Sequence, residues 1–487
     1  MKLKAKLLNF SAGRPVAILH KNFSLRNNIH VDDRIFITKN SRRIAAVVDT
    51  ASGLLKESEI IVSNEIIKEL NIRKKDLVSV SLASKPESLE IIHKKMNHRT
   101  LNRQELKKII LDIMKNKLTE SEIAFFISAV YECGMTIKET ENLIRALIDT
   151  GKKLELKGEI ADKHSVGGIP GRTTPIIVSI CSSAGLTMPK TSSRAITSPA
   201  GTADAMEVLC KVDFSAQELK KILKKTNACL VWGGSLNLAP ADDKIIQVER
   251  LMQLDPEAQL LASIMAKKLS VNAKYVLIDF PYGKYAKFIR QEAETLEKKF
   301  LTIARDFNIK LKCSLKHVEE PLGNGIGPLL EIIDVIKVLK RESKCHKLEE
   351  RALELSAELL ELAGKAKKGE GIKIAREILN SQQAYKKFLS IIKAQKGKIR
   401  KIKLARYKHD IKADKSGIIC EINIKEINSM ARISGCPLDK ASGLYLHKHL
   451  RDKVEKNETI LTIYSENKQE LKDALAYYKK ERPIVIR

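Results

Sequence analysis

Two stretches between Lys163 and Thr202 constrain this chain more than any others. K-H-S-V-G-G-I-P-G-R-T-T-P runs from Lys163 to Pro175, and T-S-S-R-A-I-T-S-P-A-G-T from Thr191 to Thr202. Each reads as a strand end, a tight turn and a helix start. In the first, a candidate strand from Ile160 ends at Lys163. Gly167, Gly168 and Gly171 then let the backbone turn where a Cβ would clash. Thr173-Thr174-Pro175 places a proline in the first turn of a helix. The second follows the apolar stretch L-T-M-P and precedes a helix predicted over Ala203 to Leu209, with Thr202 as its cap. Strand, turn and helix in succession build a sheet covered by helices. In a parallel sheet both turns open at the carboxyl ends of strands, where ligands bind.

The residue types in these turns suit a phosphate. A Gly-rich turn that feeds a helix start gathers unpaired N–H groups at the positive end of the helix dipole. Lys163, Ser165 and Thr174 add a cation and two hydroxyls. The second turn adds one arginine and six hydroxyls in twelve residues, groups that donate well to anions. Either turn alone also fits a plain connection on the surface. The pair together favours an anion site, and it is not a P-loop, because the lysine precedes the glycines.

The rest of the chain changes period along its length. Residues 1–86 hold short β-branched runs (V-A-I-L, R-I-F-I, I-A-A-V-V, L-V-S-V-S-L) and predict a small β-rich, barrel-like domain with a helix from Ser63 to Leu70. Residues 95–155 show apolar residues three and four apart, as amphipathic helices do. Thr119 with Glu122 reads as a capping box there. A later helical segment near 215–250 is expected to join this helical domain. Residues 156–405 alternate strands with helices, with further strands at Cys229 to Trp232 and Tyr275 to Phe280. Residues 406–487 return to short strands and predict a C-terminal α+β domain. The fold class expected is therefore multidomain α/β, with the large α/β domain built on a central sheet.

Charge is the one unusual bulk property. The chain of 487 residues carries a net charge of +29, with aromatic residues at 5%. Clustered cations would suit nucleic acid. Here the lysines run through every segment, interleaved with Glu, and aromatics for base stacking are scarce. That distribution favours solvated faces and steering of small anions; a non-catalytic nucleic-acid-binding or assembly protein is the competing class. Eight cysteines without a C-x-x-C pair argue against structural zinc and for free thiols in a reducing cytoplasm. The N-terminus lacks the apolar run of a signal peptide, and no run reaches the length of a membrane span.

K-H-S-x-G-G, then S-x-R followed at fixed spacing by G-T-x-D-x-x-E, resembles the thymidine and pyrimidine-nucleoside phosphorylases. The likeness continues through A-S-I-M-A-K-K (Ala262 to Lys268), Y-V-L-I-D-F-P-Y-G and the C-terminal G-L-Y-L-H-K-H-L-R-D-K. It covers about residues 95–487. Four departures resemble the archaeal-type AMP phosphorylase branch instead. They are the S-R-A-I-T-S-P-A-G-T turn, the P-Y-G-K-Y-A-K loop after Asp279, the additional N-terminal β domain, and P-L-G-N-G-I-G-P from Pro321 to Pro328.

That resemblance implies phosphorolysis of AMP, and of CMP and UMP, to free base and ribose 1,5-bisphosphate. A pyrimidine-nucleoside phosphorylase of the same fold is the alternative. Inorganic phosphate would be a co-substrate, and no cofactor or metal is implied. The attacking phosphate would meet Lys163, Ser165, Thr174, Ser192 and Thr202; the family usually has Ser where Thr174 stands. The nucleotide would meet Gly167, Ser193, Arg194, Ala195, Ile196, Thr197, Ser198, Thr202, Ser263 and Lys287, the last as the 5′-phosphate anchor. Asp255 matches the proton donor to the leaving base. The same residue also reads as the N-cap of a helix to Leu269. Ser263 and Lys267 match two of the three groups with which nucleoside enzymes read a pyrimidine. Arg250, nearest to the third, is out of register by two, which implies a different base pocket, and Lys267 also fits a structural partner of Ser263. His164 fits an orienting or packed residue as well as a catalytic one, and Trp232 reads as core. The family also implies a homodimer or larger assembly and hinge closure between helical and α/β domains, with no nucleic acid or membrane as partner.

Overall fold

The computed structural model describes residues 1–195, 198–342, 345–399 and 403–487. The chain forms two compact units, Met1–Thr150 with Pro240–Ser263, and Gly151–Ala239 with Ile264–Arg487.

The first unit opens with a closed barrel. Its strands are β1 (Lys2–Lys6), β2 (Val16–His20), β3 (Arg34–Lys39), β4 (Arg42–Ala51), β5 (Glu59–Val62) and β6 (Leu77–Leu82), in the order β1-β5-β2-β4-β3-β6. Antiparallel pairing of β1 with β6 closes the ring and removes both sheet edges. In K-L-K-A-K of β1, Leu3 and Ala5 are buried while the lysines face outward. That is the period of two a half-buried strand requires.

The same unit contains the helices Glu87–Met96, Arg103–Met114, Glu120–Cys133 and Ile137–Thr150. Thr119 and Glu122 form the capping box at the start of the third. Lys95 and Glu139 form a buried ion pair at 2.9 Å between the first and the last. Of the segment 215–250, helix Pro240–Met252 packs on this bundle. Helix Ala216–Thr226 instead belongs to the second unit, where it packs on the strand Ala228–Trp232.

The second unit is built on parallel strands: β7 (Ala161–Ser165), β8 (Met188–Ser192), β9 (Ala228–Trp232), β10 (Tyr275–Tyr282) and β11 (Lys310–His317). β11, β10 and β7 form one sheet and β8 and β9 another, and a parallel bridge from Ile160 to Thr187 links them at β7 and β8. All pairings are parallel. β11 reads K-L-K-C-S-L-K-H; it is a part-exposed edge strand whose lysines hide its period in the sequence. Helix Thr173–Ser183 is buried along almost its whole length, as expected of a helix between a sheet and an outer helical layer. Its Ile176 and Ile180 share a core with Met206, Leu355 and Phe388.

The C-terminal strands are β12 (Gly325–Ile326), β13 (Tyr407–Lys412), β14 (Gly417–Ile422), β15 (Gly443–Leu446), β16 (Lys453–Val454), β17 (Thr459–Ser465) and β18 (Ile484–Ile486). They form two sheets, β12-β15-β17-β13 and β16-β14-β18. β12 comes from the P-L-G-N-G-I-G-P stretch, which thereby joins the α/β layer to the C-terminal sheet. No helix among the described residues is long and apolar enough to cross a membrane. All eight cysteines are free thiols, six of them buried.

Candidate functional site

Lys163 ends the buried part of β7 with only 1% of its surface exposed. Its Nζ lies 3.1 Å from Oδ2 of Asp279 on β10 and 3.2 Å from Oγ1 of Thr173 at the start of the following helix. Ser165 Oγ donates to the same Asp279 oxygen at 2.8 Å. The other carboxylate oxygen accepts from Arg351 Nη2 at 2.6 Å. Burial pushes the Asp279 carboxyl upward, but Lys163 and Arg351 outweigh it and hold the group below its usual value. Burial pulls Lys163 down, and Asp279 counters part of that. Thr174 is buried in the first turn of the helix Thr173–Ser183.

Successive residues of a strand face opposite ways, so Asp162 looks away from Lys163. Its Oδ2 accepts from Lys268 Nζ at 2.6 Å, and its Oδ1 lies 3.4 Å from Lys190 Nζ on β8. Burial pulls Lys190 down to about 7, with Asp162 opposing the shift. Burial, with Lys268 and Lys190 nearby, holds the half-buried His164 well below its ordinary value. On the Lys163 face, one carboxylate, Asp279, meets two cations, Lys163 and Arg351. That surplus of positive charge is suited to a phosphate dianion.

Gly167 has no room for a side chain. A Cβ there would lie 2.0 Å from Pro281 Cγ, so the turn after β7 lies directly against the end of β10. Asn428 Nδ2 donates to the Gly168 carbonyl at 3.1 Å, tying this turn to the C-terminal domain.

The second turn is held from inside by Asp204. Its Oδ2 accepts from the N–H groups of Ala195 and Gly201 at 2.6 and 2.9 Å. The sequence pattern places Thr202 at the cap of the following helix. Gly201 occupies that position instead, and Thr202 is the first residue of the helix Thr202–Glu207. Asp204, three residues on, accepts from the Gly201 N–H and fixes the cap there, and a Cβ at Gly201 would come within 2.4 Å of the Ser193 carbonyl. Arg194 forms a bidentate pair with Glu207 at 2.7 and 2.8 Å and lies over the half-buried Trp232 ring. Its guanidinium therefore fastens the turn to the helix. Ser193 follows β8 directly, and Ser198 Oγ donates to the Ala200 carbonyl at 3.1 Å. Ile196 and Thr197 lie outside the described residues. At the end of β8, Thr191 Oγ1 and Ser192 Oγ are buried and make no hydrogen bond within the chain. Buried hydroxyls normally have partners; the two face opposite ways along the strand, and Ser192, at the strand end, fits a place for an anion.

Arg172 joins the two turns. Its Nη1 donates to Thr202 Oγ1 at 3.3 Å, its Nη2 to the Ala200 carbonyl at 2.7 Å, and its Nε to the buried Glu331 at 2.6 Å. With its lone pair engaged by Arg172, the Thr202 hydroxyl has its hydrogen available for an anion. Arg172 lies inside the first motif, but sequence reading did not single it out, because its partners are distant in the chain. Asp279 carried a signal, a lone acid in the apolar run Y-V-L-I-D-F. Asp204 stands in the G-T-x-D-x-x-E pattern, which marked the position but gave it no role; Arg351 and Glu331 carried no signal.

The remaining candidates lie elsewhere. Asp255 and Ser263 belong to the first unit. Helix Glu257–Ser270 starts two residues after Asp255, and the Pro256 carbonyl accepts from the Leu260 N–H. Asp255 therefore precedes the cap position rather than filling it. Ser263 Oγ donates to Asp242 Oδ2 at 2.8 Å. Lys287 is exposed in the loop after β10, its Nζ 5.3 Å from the centre of the Phe288 ring. Its neighbours Lys284 and Tyr285 both bond Glu421 of β14.

Parallel strands ending in two hydroxyl-rich turns around buried cations suit an α/β glycosyl transferase, the class that comparison with known families gives. The family described as "Glycosyl transferase family, a/b domain" matches residues 157–385, and its helical bundle domain matches residues 89–151. The "Pyrimidine nucleoside phosphorylase C-terminal domain" family matches residues 418–485. Anthranilate phosphoribosyltransferase from Thermus thermophilus shares the fold, with a TM-score of 0.53 and 15% identity over 63% of this chain and 99% of that one. The AMP phosphorylase of Methanococcus vannielii is 38% identical over 99% of this chain and 97% of its own. That of Methanocaldococcus jannaschii is 38% identical over 93% and 92%. The chain belongs to the AMP phosphorylase family.

Proposed function

We propose that this chain cleaves the N-glycosidic bond of AMP with inorganic phosphate, releasing adenine and ribose 1,5-bisphosphate. The observation that carries this reading is the full-length similarity to AMP phosphorylases, at 38% identity over 99% of the chain. The buried cations around Lys163 support it, because they suit the attacking phosphate.

In this reading Lys163, Ser165, Thr174, Ser192 and Thr202 hold inorganic phosphate. Fixed donors of this kind stabilise charge without reorganising as the reaction proceeds. Phosphate approaches C1′ as the glycosidic bond breaks, through an oxocarbenium-like state. Asp255 gives its proton to N7 of the departing purine, which makes the base a better leaving group. Lys287 anchors the 5′-phosphate, and the backbone of residues 193–198 with Gly167 lines the nucleotide. CMP and UMP are further substrates. The family likeness also supports a homodimer or larger assembly acting in the cytoplasm; sedimentation velocity on the full chain measures the assembly.

One experiment separates the readings. The protein is incubated with phosphate and AMP, CMP, UMP, adenosine, uridine or thymidine, and free base is followed. Phosphate-dependent release of adenine from AMP is expected. Release from uridine or thymidine but not from AMP would assign a pyrimidine-nucleoside phosphorylase instead.

A further inference from the structure

Gln259 lies near the start of the helix Glu257–Ser270 with 4% of its surface exposed. Neither its Oε1 nor its Nε2 makes a hydrogen bond. Among the described residues it is the one side-chain amide with both polar atoms buried and unbonded. An unsatisfied buried amide is costly, and a Leu or Met would fill the same volume without that cost. Such a group points to a ligand that completes it.

Its position indicates which ligand. Gln259 and Ser263 are four residues apart and share one helical face. Asp255 stands just before the same helix, and Asp242 accepts from Ser263 at 2.8 Å. An amide presents an acceptor and a donor side by side. Adenine presents the complementary pair on its N6-amine and N1, and that edge stays free when N7 takes a proton.

We propose that Gln259 is a specificity-determining residue that pairs with the N6/N1 edge of adenine. The inference rests on the reading of Asp255 as proton donor to the base. The amide can turn over, so it also meets the donor–acceptor edges of cytosine and uracil, consistent with CMP and UMP as further substrates.

The test uses the full chain as wild type, Gln259→Leu and Gln259→Met, with AMP and with purine-riboside 5′-monophosphate, which lacks the 6-amino group. In the wild type, kcat/KM for AMP exceeds that for the analogue, since a site built to bond a polar group rejects a substrate without it. In either variant kcat/KM for AMP falls about 10- to 100-fold, and the ratio of the two substrates falls with it. An equal fall on both substrates, or no fall, overturns the proposal, because a merely structural role leaves the ratio unchanged. Thermal melting shows which variants fold; two replacements of different shape keep one available. Asp255→Asn is assayed in parallel. If it is inactive while the ratio in Gln259→Leu stays at the wild-type value, only the Gln259 inference fails. If Asp255→Asn is active, the Asp255 reading fails on its own, and the ratio still decides Gln259.

Discussion

Lys163 and Asp279 form a buried ion pair across adjacent parallel strands, with Nζ 3.1 Å from Oδ2. Asp279 is 4% exposed and bonds Arg351 through its second oxygen. One carboxylate therefore orients two cations and the Ser165 hydroxyl. Without it, Lys163 would keep only the Thr173 hydroxyl, and Arg351 only Glu354 and the Ser314 carbonyl.

Asp279→Asn keeps the shape of the side chain and removes the charge. Breaking one side of a buried pair leaves the partners uncompensated, at about 3–5 kcal/mol. Urea unfolding should show a loss of that size, with a raised KM for phosphate in whatever folds.

Arg172→Ala should raise KM for phosphate at least tenfold while changing KM for AMP less, because Arg172 aligns Thr202 and the Ala200 carbonyl. Arg172→Lys should not restore it, since an ammonium cannot bond in three fixed directions as a guanidinium does. Millimolar guanidinium should partly rescue Arg172→Ala. No rescue, with a normal phosphate KM, would remove Arg172 from the site.

Gly167→Ala should be disabling. The new methyl would lie 2.0 Å from Pro281 Cγ, and both belong to short, constrained segments. Turnover should fall at least tenfold, with a lower Tm; an alanine variant with wild-type rates would show that the turn can move aside.

Lys190 should make stability depend on pH. Its folded value of about 7 lies below its ordinary 10.5. Between those values the unfolded chain keeps a proton that the folded chain has released, so the Lys190 contribution rises with pH. Below pH 7 both states are protonated and the folded chain carries the full cost of a buried charge. The difference in Tm between wild type and Lys190→Met should therefore move in favour of the wild type from pH 7 to 9. A flat difference would show that Lys190 stays charged beside Asp162.

Lys287→Met should raise KM for AMP about tenfold or more and leave any cleavage of adenosine unchanged, since only AMP carries a 5′-phosphate; that factor corresponds to about 1.4 kcal/mol. Equal effects on both substrates would refute the anchor.

The elements legible in advance were those whose signal is local. The barrel strands alternate at a period of two, the capping box of Thr119 and Glu122 lies within four residues, and the glycines of the first turn mark where a backbone must bend. β11 was hidden, because an edge strand exposes part of both faces and its lysines break the apolar pattern. The Thr202 cap was misplaced by one residue because the cap is set by Asp204 accepting from the Gly201 N–H, not by a side chain at the cap itself.

Local preferences alone establish that there are two glycine- and hydroxyl-rich turns, their order and the residue types within them, because strand, turn and helix propensities act over a few residues. Which charges those turns meet is settled only in the folded chain. Asp279 comes to Lys163 from a strand more than a hundred residues later, Arg351 to Asp279 from a helix beyond that, and Glu331 to Arg172 from another. Buried charges must find partners, and the partners come from wherever the sheet and its covering helices bring the chain back. The turns and their hydroxyls are thus written locally, while their electrostatic setting belongs to the fold.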